Sequence, residues 1–480
     1  VTAEQAGYGA DMRLRVFYWH LRWGVMLAAG AGTLFVVLKP GAWPVAAPFV
    51  LLWMWSPVLA WGISIPPKLA KSQVLSSAQT RSLRLIARRT WRFFETFVDG
   101  RSHGLPPDNF QEDPEPVEAQ RTSPTNLGLY LLSTIVARDF GWIGTLETVE
   151  RLEATLQTMR GLHRVRGHFL NWYDTRDLRP LEPLYVSTVD SGNLGGYLIA
   201  LAQACRDHGH CPVAGPEVFE GIGDALQLLI DSMKGAEYSR RAQTVTEAQL
   251  REAAEATSAA LRDLPASLHE RLRRLHELET LADNLLDIAR TLASEIHEDA
   301  RPEILTWAIA VQDSVRSHTR DMQLHEGILA HRLSALASIA DEMVQAMDFQ
   351  FLFDPTSKLF SIGYRVADST LDPGRYDLLA SEARLASFLA IAKGDVPQQH
   401  WFHLGRSLTP IGRGAALVSW SGSMFEYLMP LLVMSQPARS LLDLTCRLVV
   451  GRQIRYGAER RVPWGVSESA YNVRDAELTY

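Results

Sequence analysis

Two uncharged apolar runs stand at the start of the chain, Trp23 to Leu38 and Pro40 to Pro67, with Lys39, Pro40 and Gly41 forming a turn between them. The second is long enough to cross a bilayer of about 30 Å, and the first approaches that length when Leu21 and Tyr18 extend it. Trp23, Trp43, Trp53, Trp55 and Trp61 suit interfacial belts, and Pro44, Pro48 and Pro57 are tolerated in a membrane helix with supporting neighbours. Arg13, Arg15 and Arg22 precede the hairpin, and Lys68, Lys71, Arg81, Arg84, Arg88 and Arg89 follow it, whereas the connection carries only Lys39. The excess of positive charge outside the connection predicts a hairpin over about 19–65 with both ends cytoplasmic. The competing reading is a buried hairpin in a soluble core.

From about residue 72 the period becomes helical and amphipathic. Leu83, Leu85, Ile86, Trp91, Phe94 and Phe97 form one stripe, and Leu146, Val149, Leu152, Leu156 and Met159 another. Polar loops rich in Gly, Pro and Asp separate the helices at 100–126, 161–193, 363–377 and 461–475, and strand signals are few and short. The prediction is an all-α fold, a solenoid or helical barrel whose loops build a site. Between 217 and 350 the pattern differs. Leu261, Leu264, Leu268, Leu272, Leu275, Leu278, Leu281, Leu285, Ile288, Leu292 and Ile296 recur every three or four residues, which reads as an amphipathic helix of coiled-coil character in a packing insertion. The expected segments are a membrane hairpin (1–70), a first helical part (71–216), the insertion (217–350) and a second helical part (351–480).

Composition narrows the function. A net charge of −6 argues against a nucleic-acid partner. Cys205, Cys211 and Cys446 are too few, and odd in number, for a disulfide framework, and they read as buried thiols. There is no third ligand to join His163 with His168 or His400 with His403, so no metal site is expected, and no HExxH, GxSxG, Walker or GxGxxG pattern has a supporting context. The chain begins without Met and without a signal peptide, and it stops at Tyr480 inside a motif-like stretch; it is expected to be part of something larger.

Five loops carry the mixture of carboxylates, aromatics and short polar side chains that sugar chemistry needs: LPPDNFQED at 105–113, NWYDTRD at 171–177, VDSGN at 189–193, SWSGSMFE at 419–426 and WGVSESAYN at 464–472. Glu468 is the first candidate catalyst, because Trp464 and Tyr471 can desolvate it and keep it protonated as an acid; the competing role is a capping glutamate. Glu382 precedes an apolar helical run, where a helix dipole favours the ionised form a nucleophile needs, though an ordinary first-turn glutamate looks the same. Asp190 and Asp174 compete for a catalytic role and fit hydroxyl binding better. Glu426 follows as a further candidate, or as the partner of a core arginine. Asn109, Trp172, Tyr173, Asp174, Arg176, Asp190, Asn193, Trp420, Ser421, Glu426, Trp464, Tyr471 and Asn472 are the expected substrate contacts.

These segments also carry a family resemblance. The loops at 105–113, 171–175 and 189–194, with RTSPTN at 121–126, ARDFGW at 137–142 and GHF at 167–169, resemble the central region of bacterial cyclic β-1,2-glucan synthases. YDLLASEAR at 376–384, SWSGSMFE at 419–426 and VPWGVSESAYN at 462–472 resemble their glycoamylase-like part. The resemblance implies a large inner-membrane protein whose soluble part is cytoplasmic. It implies a helical barrel of (α/α)6 type, here incomplete after Tyr480, that closes a linear β-1,2-glucan into a ring by anomer-retaining transglycosylation. It places Glu382 and Glu468 on the two catalytic carboxylates, and names the glucan, the lipid bilayer and the remaining synthase domains as partners. UDP-glucose and a divalent metal belong, on this resemblance, to a glycosyltransferase region absent from the chain, leaving no cofactor here. A β-1,2-glucan hydrolase and a non-catalytic glucan-holding scaffold are the rival readings.

Overall fold

The computed structural model describes residues 14–64, 75–209, 215–235, 245–262, 267–295, 301–323, 326–412, 414–465 and 467. Glu468, Tyr471 and Asn472 lie outside the described residues. The chain divides into two compact units, 1–74 with 410–415, and 75–409 with 416–480. Each is described by itself.

In the first unit α1 (Leu14–His20) and α2 (Arg22–Leu38) meet at a 70° bend, and a short 3-10 turn at Pro40–Ala42 leads into α3 (Trp43–Ser64). The turn falls at the predicted Lys39 connection. Small residues carry the α2–α3 contact: Ala28 and Gly32 are buried, with Val50 opposite. Leu34, Phe35, Val37, Trp53 and Trp55 point outward and exposed, the reverse of a water-soluble helix pair. Pro40–Gly62 is long and apolar enough to cross a membrane.

The second unit is all-α, as the loop-and-helix pattern predicted, with strands of two to four residues confined to loops. Its first core gathers α5 (Pro124–Asp139), α6 (Thr145–Gly161), α7 (Thr188–His208), α12 (Glu326–Ala346) and α13 (Arg384–Lys393). The preceding helix α4 (Ser77–Phe97) starts on a capping box, Ser76 with Gln79, and packs Trp91 over Tyr130 of α5. Serines at 123 and 187 cap α5 and α7 through the side chain alone, accepting from Asn126 and Asp190 N–H, so the sequence itself fixes where these helices begin.

A second core belongs to the insertion: α8 (Pro216–Gly235), α9 (Val245–Leu261), α10 (Leu268–Glu295) and α11 (Arg301–Asp321) bury Leu226, Leu229, Leu250, Leu278, Leu285 and Trp307 against one another. Two corrections follow. The leucine repeat at 261–296 is not one helix, because it begins at the end of α9 and continues in α10. The insertion is also shorter than 217–350. Leu329, Leu333, Leu336 and Met343 of α12 pack in the first core, not the second.

Polar contacts join the two cores. Arg84 of α4 donates through Nε (3.0 Å) and Nη2 (2.7 Å) to Asp224 of α8, and Trp142 Nε1 donates to the same carboxylate at 3.0 Å. Helix α6 begins at Gly144, which offers no side-chain cap. Asp321 at the end of α11 supplies it instead, accepting from the N–H groups of Thr145 (2.8 Å) and Leu146 (2.7 Å), while Ser317 Oγ accepts from Gly144 N–H at 2.8 Å.

Candidate active site

The loops of the first core end where α5, α7 and α13 begin, so their polar residues collect around three helix starts. Strand β1 (Tyr185–Ser187) delivers the chain to α7, and it pairs antiparallel with β2 (Gly363–Arg365), Tyr185 opposite Arg365 and Ser187 opposite Gly363. Loop 361–383 then crosses to α13. The two helices approach closely because α7 presents glycine: a Cβ on Gly192 would stand 2.3 Å from the Ala386 Cβ, and one on Gly195 would stand 2.4 Å from Leu389. That approach brings the first turn of α7, with Asp190, beside the loop carrying Tyr376 and Glu382.

Asp190 is half-buried and accepts from Thr125 Oγ1 at 2.5 Å, with Asn193 Nδ2 behind Thr125 at 3.0 Å. Asn171 donates to its other oxygen at 3.1 Å when its amide is oriented so that its own oxygen accepts from Trp172 Nε1. Burial raises the Asp190 pKa, and the charge of Asp108 adds to it, against the opposing hydroxyls of Ser187 and Thr125. Asp108 is itself paired with Arg121 at 2.9 Å and accepts from Asn126 and Asn109. The Arg121 guanidinium lies 5.2 Å from the centre of the Trp172 ring.

Glu382 is 5 % exposed, and its carboxylate accepts from Ser381 Oγ. It lies two residues before α13, ahead of Ala383, so the first-turn dipole contact proposed for it is not made. Burial, then the charges of Asp190, Glu382 and Asp372, push the Tyr376 hydroxyl well above its ordinary range. The Tyr376 ring stands 5.4 Å from that of Trp420, which is 57 % exposed and tilted by 32° from it. A buried carboxylate beside a buried phenol and an open indole face is the arrangement sugar chemistry uses.

Glu426 is buried, and its oxygens accept from Ser381 N–H (3.0 Å), Ser421 N–H (3.0 Å), Ser421 Oγ (2.7 Å) and Gly422 N–H (2.9 Å). Burial alone would raise its pKa, but the Ser421 and Ser419 hydroxyls and the N–H groups of Ser421 and Ser381 hold it below the usual carboxylate range. The expected core arginine is present, yet it binds elsewhere: Arg384 donates to the backbone carbonyls of Glu426 (3.1 Å) and Tyr427 (2.7 Å).

Several expected substrate contacts are corrected by burial or saturation. Tyr173 is fully buried, its hydroxyl donating to the His163 carbonyl and accepting from Leu170 N–H. Asn193 is buried behind Thr125 and supports Asp190 from below. The Asp174 oxygens are engaged by the Arg176 backbone and guanidinium, which lowers the Asp174 pKa and closes a turn. Glu426 and Ser421 are bonded to each other and serve the loop. Asn109 lies in the Asp108 cluster and Trp172 beside it, while Trp464 is 53 % exposed and packs at Gly457. Tyr376, Tyr185, Thr125 and Asp108 were missed as individual site residues. Tyr376, Asp108 and Thr125 stand inside motifs already singled out, so the signal was present; Tyr185 gave none.

No family model matches the chain. It is 45 % identical over 444 residues, 91 % of its length, to the cyclic β-(1,2)-glucan synthase NdvB of Rhizobium meliloti, and the stretch covers 16 % of that protein. Among solved structures, a Bacteroides fragilis protein described as a glucoamylase is similar with TM-score 0.46 and 11 % identity, over 81 % of this chain and 68 % of its own. An endo-β-1,2-glucanase of Chitinophaga pinensis, solved with sophorotriose and glucose, is similar with TM-score 0.45 and 10 % identity, over 82 % and 70 %.

Proposed function

Because the chain is homologous to one segment of a cyclic β-1,2-glucan synthase, we propose that it is the ring-closing module of such an enzyme, a helical domain of (α/α)6 type acting on β-1,2-glucan. The observation that carries this reading is Glu382, a buried carboxylate held by a neighbouring hydroxyl, whose charge acts on Tyr376, the ring paired with the open face of Trp420.

In this reading Glu382 attacks the anomeric carbon of an interior glucose, and the bond to the outgoing glucan oxygen breaks as Glu468 protonates that oxygen. The glycosyl-enzyme retains the part of the chain that ends in a free 2-hydroxyl. That hydroxyl then attacks the same anomeric carbon, gives its proton back to Glu468 and releases Glu382, so configuration is retained and the ring is closed. The role of Glu468 rests on the sequence alone. The hairpin at 14–64 anchors the module in the bacterial inner membrane with the catalytic part cytoplasmic, on the strength of the flanking arginines and lysines.

The test is a linear β-1,2-glucan incubated with the intact membrane protein. Ring closure with release of a shorter chain leaves the number of reducing ends constant, whereas hydrolysis raises it. Rings at constant reducing ends, lost in Glu382→Gln, are the expected result. Rising reducing ends without rings would make the module a hydrolase, and glucan binding without turnover would make it a scaffold. Reporter fusions after residue 70 and at Lys39 are expected on opposite sides of the membrane.

A further inference from the structure

Ser381 occupies a conformation that a serine seldom adopts. Its φ is +49°, in the left-handed region, where a side chain other than glycine persists only if its surroundings hold it there. The holder is identifiable: Ser381 N–H donates to Glu426 Oε1 at 3.0 Å. Glu426 is in turn immobile. Its Oε2 accepts from the N–H and hydroxyl of Ser421 and from Gly422 N–H, its own N–H donates to Ser423 Oγ at 3.2 Å, and Arg384 grips the carbonyls of residues 426 and 427. With its backbone turned this way, Ser381 aims its hydroxyl at the Glu382 carboxylate.

We propose that Glu426 and Ser381 form a positioning relay, in which Glu426 fixes the left-handed backbone of Ser381 so that the Ser381 hydroxyl holds Glu382 ionised and aimed. The proposal rests on the reading of Glu382 as nucleophile and deepens it. Glu426 itself does not touch substrate, since both its oxygens are engaged by the loop. The relay explains why a carboxylate is buried at 426 without an arginine on its oxygens: only an acceptor with two oxygens can bind the 381 and 421–422 loops at once. A hydroxyl donor favours the charged form of Glu382 over the neutral one. Among the described residues, Tyr197 of α7, Tyr376 of the preceding loop and Arg384 at the first position of α13 also face Glu382.

The intact membrane protein, with linear β-1,2-glucan as the probe, provides the test. Ser381→Gly keeps the left-handed backbone without strain and removes the hydroxyl together with its carbon. It is expected to lower kcat about tenfold, to leave KM within about twofold, and to move the acidic limb of the pH–rate profile upward by about one unit. Ser381→Ala should act in the same sense and lose more. Glu426→Gln, which replaces one acceptor oxygen with a donor, should shift the limb in the same direction, and joined to Ser381→Gly it should add little further shift. An unshifted acidic limb in folded Ser381→Gly would overturn the relay while leaving Glu382 in its role. Full turnover in Glu382→Gln would instead remove the nucleophile reading, and the relay with it.

Discussion

The two cores of the second unit are built from the same kind of helix and differ in what surrounds its ends. In the insertion, α8 to α11 present leucine and alanine to one another; pairs such as Arg316 with Asp283 stay at the rim, and the buried carboxylates Asp224 and Asp321 are engaged by Arg84, Trp142 and the start of α6. In the first core, α5, α7 and α13 begin in loops that bring Asp190, Tyr376 and Glu382 together. Buried polar groups cost free energy unless each finds a partner. The first core meets that cost with networks centred on Asp190 and Glu426, whereas the second pairs its buried carboxylates, Asp224 and Asp321, with groups of α4 and of the α6 start. The candidate site thus lies where helix starts converge, and the leucine-lined interior of the bundle holds none of its residues.

This contrast can be broken at several points. The sharpest is Glu382→Gln, expected to reduce turnover by about 10³-fold or more with the melting temperature unchanged. Its counterpart in the bundle, Leu278→Ala, should cost about 2–5 kcal/mol in denaturant unfolding yet leave kcat of the folded protein intact. Loss of kcat in folded Leu278→Ala would show that the bundle shapes the site.

A second test concerns burial of a titratable ring. His168 sits in the first core in edge-on contact with Phe349 and Phe351, and burial pushes its pKa down from 6.5 to about 4, despite the opposing pull of Asp348. A depressed folded pKa means that the unfolded chain takes up the proton first. The stability is fully present above pH 6.5 and falls as the pH drops towards 4, by at most about 3 kcal/mol. Unfolding curves at pH 7 and 4.5 should converge when His168 is replaced by Leu.

Smaller effects lie at the seam. Asp321→Ala removes the borrowed cap of α6 and should cost about 1–3 kcal/mol, more than Asp321→Asn. Arg320→Ala breaks only a half-exposed pair with Glu150 and should change stability by less than about 1 kcal/mol.

The helices were legible where an amphipathic stripe is a local signal, as in 145–161; the start of α7 was not, because 161–193 reads as loop and the cap at Ser187 lies inside it. What a stripe does not reveal is which core it faces. Leu329, Leu333 and Leu336 repeat as Leu275, Leu278 and Leu285 do, so α12 was grouped with the insertion although it packs beside α7. In the candidate site, motif composition marked loops that the fold gathers there but not the hierarchy within them. Tyr173 and Asn193 look like sugar contacts in sequence and are buried supports in space. The carboxylate of Glu426 is taken up by N–H groups that any sequence carries, which leaves no trace in residue identity.

The cap that α6 borrows also sets an order of events during synthesis. Thr145 and Asp321 are 176 residues apart. At roughly 5–20 residues per second, the α6 start waits about 10–35 s after it is made before its partner exists. Until Asp321 is made, the Thr145 and Leu146 N–H groups lack the acceptor they have in the folded protein. Completion of the α6 start thus depends on the last helix of the insertion.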